Sequence, residues 1–148
     1  MELLNEAEEE QEKPIFFWPH IEFSTELLSM APQIIQDKHR EHAPFSFKPS
    51  PPPDHISRTF EFKNYSDGGG YEGEVDEQGR PDGRGIELVS SEFYYEGYYS
   101  EGKFNGRGRK IELDGSVIDF EWKSGILHGF GFRIWPSNNT YEGYYHKG

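Results

Sequence analysis

Tyr95-Glu-Gly-Tyr-Tyr-Ser-Glu-Gly-Lys-Phe-Asn-Gly-Arg-Gly-Arg109 decides the fold, because versions of this stretch recur on both sides of it. The Gly-x-Gly pairs Gly83/Gly85, Gly106/Gly108 and Gly129/Gly131 follow one another at intervals of 23 residues. A period of that size marks a repeat architecture. The opening of each unit recurs as well, as Tyr71-Glu-Gly, Tyr95-Glu-Gly, a degenerate Ile118-Asp-Phe and Tyr141-Glu-Gly. The step from Tyr71 to Tyr95 is 24 residues while the Gly-x-Gly spacing is unchanged, so the extra residue falls between Asp76 and Asp82. A hairpin repeat accepts an insertion at a loop tip.

Alternation within each unit assigns two faces. Tyr71/Gly73/Val75, Tyr95/Gly97/Tyr99, Ile118/Phe120/Trp122 and Tyr141/Gly143/Tyr145 point one way, and Glu72, Glu96, Asp119 and Glu142 point the other. The acids are expected as a solvated row. Glycine weakens a strand, so two on each return strand need a reason. Missing side chains there are expected to leave seats over which neighbouring rings lie flat. Where such a face is incompletely covered, it becomes an aromatic groove for a partner.

Tyr-Glu-Gly-aromatic, a Gly-Lys turn, Asn/His/Asp-Gly-x-Gly and then Asp114-Gly-Ser116 together resemble the MORN repeat, a short β-hairpin unit. The likeness runs from Tyr71 to Gly148, is strongest in the second unit, weakens where Phe120 replaces a glycine, and breaks off in the fourth unit. It implies a mainly β fold, an extended single-layer antiparallel array of hairpins, with a largely irregular and partly helical N-terminal arm. Such repeats occur in ciliary, axonemal, cytoskeletal and junctional proteins. The resemblance therefore implies a cytoplasmic scaffold or assembly subunit, with cilium or cytoskeleton as its setting. Phosphoinositide or membrane-surface binding, and regulation of an enzyme on another chain, are the two alternatives that the resemblance carries.

Composition agrees with a thin sheet. Of 148 residues only 33% are hydrophobic, yet 16% are aromatic, and rings remove area from water without a deep aliphatic core. There is no cysteine, which excludes disulfides and thiolate metal sites. The net charge of −12 opposes long-range attraction to phosphate backbones and anionic headgroups. The basic residues Arg84, Arg107, Arg109, Lys110 and Arg133 are interleaved with Glu87 and Glu112. No nucleic-acid partner is expected.

All 17 glycines lie at Gly68 or later, whereas 8 of the 10 prolines precede Asp54. This divides the chain into an arm, 1–58, and the hairpin repeats, 59–148. The arm opens on an acidic run, Met1–Lys13, followed by the bulky cluster Ile15-Phe-Phe-Trp-Pro-His-Ile-Glu-Phe23. Ser24 or Thr25 can cap a first helix, and Pro32 can open a second through Gln33–His42. Leu27, Leu28, Met30, Ile34 and Ile35 give them an apolar face, to be packed either on the repeat sheet or on another protein. Ala43–Pro53 reads as a polyproline spacer. Thr59–Tyr65 alternates as a strand and caps the array as the trailing half of an incomplete unit.

No catalytic constellation emerges, and neither a cofactor, a metal nor a small-molecule substrate is expected. Gly68-Gly-Gly70-Tyr-Glu-Gly73 matches Gly-x-Gly-x-x-Gly but opens no helix. His39 and His42 lack the further ligands of a tetrahedral site, and His128 stands where Asp82 and Asn105 stand in sister units. The residues expected to meet protein partners are Phe16, Phe17, Trp18, Tyr95, Tyr99, Trp122, Tyr141 and Tyr145, since buried aromatics dominate interface energetics. A partner is expected to order the arm. The strand beginning at Tyr141 is expected to present an open edge that a second chain or the arm itself covers.

Overall fold

Ring positions two apart and tight turns at a fixed period leave the chain one economical arrangement, a meander. The computed structural model describes residues 21–47 and 58–147. Eight strands form one open antiparallel sheet in sequence order: β1 (Thr59–Asn64), β2 (Gly70–Val75), β3 (Pro81–Val89), β4 (Phe93–Ser100), β5 (Lys103–Glu112), β6 (Val117–Lys123), β7 (Ile126–Ile134) and β8 (Thr140–Tyr145). β1 pairs with β2 at one side of the sheet, as expected of a capping strand.

The turns repeat with the units. Glu101-Gly102 and Ser124-Gly125 both have positive φ at their two central residues, the signature of the two-residue hairpin turn that matches strand twist. Between β2 and β3 the amide of Asp76 instead reaches the carbonyl of Arg80 across a three-residue tip, Glu77-Gln78-Gly79. That tip holds the inserted residue. The longer connections share another design: the amides of Gly69, Ser116 and Asn139 donate to the side chains of Asp67, Asp114 and Ser137, two residues back. The backbone bonds Tyr65 N to Gly69 O, Glu112 N to Ser116 O and Trp135 N to Asn139 O close these three loops alike.

The glycines of each Gly-x-Gly do different jobs. Gly106 has φ +99°, as Gly83 and Gly129 have +98° and +97°, and each sits where the hairpin register slips at a bulge. A left-handed backbone selects glycine there. Gly108 is different: a side chain on it would run into the ring and hydroxyl of Tyr95. Gly85 lies in the same way under Tyr71. The expected ring seats are therefore real for the second glycine of each pair, while the first is required by backbone conformation. Register carries the seats across the sheet, since Gly73, Gly85, Gly97 and Gly108 are successive partners, followed by Phe120, Gly131 and Gly143.

Two short helices, α1 (Glu26–Met30) and α2 (Gln33–Glu41), lie on the other face. Leu27, Ala31 and Ile35 are buried against Ile86, Leu88, Tyr94, Ile111 and Val117 of the sheet. Each buried Leu or Ile contributes roughly 1.5–3 kcal/mol, which offsets the weak intrinsic stability of such short helices. Phe23–Phe47 belongs to the same compact unit as the sheet. Of the two coverings expected for these helices, the repeat sheet is the one they pack on; the expectation that a partner orders the arm rests on Phe16, Phe17 and Trp18, outside the described residues. Met30 and Ile34, expected on the apolar face, point to solvent instead.

Candidate functional site

On the ring face the repeat closes itself. Tyr71 donates to the carbonyl of Glu74 at 2.7 Å, Tyr95 to that of Tyr98 at 3.0 Å and Tyr141 to that of Tyr144 at 3.0 Å, the same bond in three units. It pins each ring over its glycine seat. Ile118 cannot make this bond, and the ring of Phe120, two residues on, covers Gly131 in its place. Tyr95 stacks on Phe104 at 3.8 Å between centroids and meets Tyr99 and Trp122 edge-on. Tyr65 and Tyr99 both donate to Glu87 at 2.8 Å. Burial pushes the hydroxyls of Tyr65, Tyr71 and Tyr99 well above the ordinary tyrosine range, and the charge of Glu87 adds to it.

On the helix face, the acids expected as a solvated row are mostly covered. Glu72 accepts from the amide of Ser24 at 2.8 Å and from its hydroxyl at 2.6 Å. Glu96 pairs with His39 at 2.9 Å. Asp119 holds Arg109 at 3.0 Å and Arg107 at 2.8 Å, and Arg109 in turn donates to the carbonyl of Ala43 at 2.6 Å. Three successive repeat acids therefore grip the start, the second helix and the exit of the helical segment. The solvated-row expectation fails because alternation fixes the side a residue points to and says nothing of what lies there. Only Glu142, beyond the helices, is exposed as expected.

The basic residues are engaged as well. Arg84 pairs with Glu74 at 2.9 Å, Lys110 with Glu112 at 3.6 Å and Arg133 with Glu112 at 3.7 Å. Arg84 and Arg109 are buried. A cation spent on a carboxylate attracts an anionic surface weakly.

Tyr95, Tyr99 and Trp122, expected to meet a partner, are buried among rings of this chain and present no free face. Tyr145 is half-buried and Tyr141 is 37% exposed. Phe16, Phe17 and Trp18 lie outside the described residues. The most accessible aromatic pair is one that the sequence reading did not single out. Phe130, 41% exposed, and Tyr144, 77% exposed, face each other across β7 and β8 with ring centroids 5.1 Å apart. The signal was in the repeat: the same cross-strand pair is Arg84 with Tyr98 and Arg107 with Glu121 in the sister units, so a ring stands where a cation recurs.

The chain matches no family model and no curated protein. Among the described residues no helix is long and apolar enough to cross a membrane.

Proposed function

We propose that this chain is a MORN-type repeat module serving as a non-catalytic scaffold subunit, and that it docks on protein partners through the Phe130/Tyr144 patch with Tyr141 and Tyr145 nearby. The observation that carries this reading is the uncovered aromatic pair on the side of the sheet whose centre the helices occupy. Exposed rings on adjacent strands fit a protein contact, where aromatic side chains provide most of the binding energy. The recurring tyrosine-to-carbonyl bond, the two-purpose Gly-x-Gly and the common loops support the assignment of repeat type. Phe16, Phe17 and Trp18 are a second contact in this proposal, and cilium or cytoskeleton its proposed setting.

The test is capture from native extract with the tagged full chain, scored by crosslinking mass spectrometry. A stoichiometric protein partner is expected, crosslinked near β7 and β8 and lost when Phe130→Ser and Tyr144→Ser are combined. Retention of the partner by that variant with crosslinks elsewhere contradicts the patch, and absence of any partner contradicts the scaffold reading. Flotation with anionic liposomes is expected to leave the protein unbound, because its arginines are already paired. Salt-sensitive flotation would favour the membrane alternative instead.

A further inference from the structure

His128 and His146 face each other on β7 and just beyond β8, with ring centroids 5.5 Å apart and planes inclined at 45°. Their places follow from register, for Gly129 is paired with Tyr145 and the next residues outward are these two histidines. In the sister units this junction is closed by a different device. Asp82 accepts from the amide of Glu101 at 3.0 Å, and Asn105 from the amide of Ser124 at 3.2 Å, so each stitches its own unit to the turn of the next. His128 occupies the position of Asp82 and Asn105, and Lys147, with φ +58°, that of Glu101 and Ser124, at +51° and +50°. The third junction thus replaces a short oxygen acceptor with an imidazole and sets a second imidazole opposite it.

We propose that His128 and His146 form a two-histidine site for a divalent transition-metal ion of the zinc class, and that the bound ion closes the junction of β7 with β8. Zinc binds imidazole nitrogen at roughly 2.0–2.1 Å, so two imidazoles on one tetrahedral ion place their ring centroids roughly 5 Å apart. The observed centroid separation of 5.5 Å is close to that value. Among the described residues no group of three or more His, Asp or Glu surrounds a common point, so water completes the coordination. Nitrogen ligands select zinc, nickel or copper over magnesium and calcium. The ligands bind as neutral imidazoles, so acid releases the metal.

Titration of the full chain with Zn2+ by calorimetry, alongside Mg2+, tests the site. One saturable equivalent of Zn2+ and no Mg2+ is expected, together with slower amide exchange in β8 when Zn2+ is present. His128→Asn restores the residue found at Asn105, and His146→Ser the residue found at Ser100, so both variants suit the repeat and should fold. Each is expected to weaken Zn2+ binding by about tenfold or more, since one imidazole alone is a poor site. Absence of saturable Zn2+ binding overturns the proposal. So does binding that survives both substitutions, which would assign the metal to other histidines of the chain.

Discussion

Glu96 and Glu142 hold the same place in the repeat and live in different surroundings. Glu96 lies beneath α2, paired with His39, with Tyr94 buried alongside; Glu142 is exposed on β8. The difference comes from Phe23–Phe47, a segment with no repeat character, whose helices share a core with β3 to β6 and with Phe132 and Ile134 of β7, and leave Glu142 of β8 uncovered. Repetition therefore makes the strands, and a non-repeated cover decides which of them become interior. Where the cover ends, the sheet exposes Phe130 and Tyr144.

The largest contrast lies in alkali. Tyr65, Tyr71, Tyr94, Tyr95 and Tyr99 all have raised hydroxyl pKa values, with burial the leading cause. An unfolded tyrosine ionises near pH 10, so above that pH the unfolded chain sheds protons that the folded chain retains. This contribution is fully present below about pH 10 and is lost as pH rises further, in proportion to the number of rings. Above about pH 10, the tyrosinate absorbance of these five rings should rise only together with the loss of the sheet followed by circular dichroism, after the rise due to the exposed rings such as Tyr144. Tyrosinate appearing in the buried rings with the sheet intact would break the picture of a dry ring face.

Next in size is the pair of glycine seats. Gly108→Ala forces the stacked, buried ring of Tyr95 off its seat and should cost about 3 kcal/mol or more. Gly143→Ala meets the hydroxyl of Tyr141 at 2.7 Å, but that ring is 37% exposed and can swing away, for a cost of about 1 kcal/mol. Urea denaturation of the two variants reads the difference, and equal costs would mean that the last unit is packed like the second. Smaller again is the acid pair. Glu96→Ala strips His39 of its partner and should cost about 1–2 kcal/mol, whereas Glu142→Ala should stay within about 0.5 kcal/mol.

Much of the sheet was legible because its determinants are local and periodic. Tyr71, Tyr95, Phe120 and their partners declare a face by alternation, and the inserted residue declared its own loop. The burial of Glu72, Glu96 and Asp119 was not legible, since it depends on Ser24, His39 and Ala43, between 48 and 76 residues away in the chain. Leu27 and Ile35 announced an apolar helix face without naming what it packs against. The same gap explains the candidate site: Tyr95, Tyr99 and Trp122 have the right chemistry for a partner, but rings from other strands of the same sheet already cover them. Phe130 was legible only by comparing units, as the ring that stands in an arginine's place.

The central claim is that the non-repeated segment is the sheet's own cover, clamped by the repeat acids. Amide hydrogen exchange on the full chain, at neutral pH and without any partner, tests it most directly. Amides within α2, from about Asp37 to Glu41, are expected to be protected together with those of β3 to β5, and β8 to exchange faster than β4. Free exchange throughout α2 with the sheet still protected would contradict the account, and would return the helical segment to a partner.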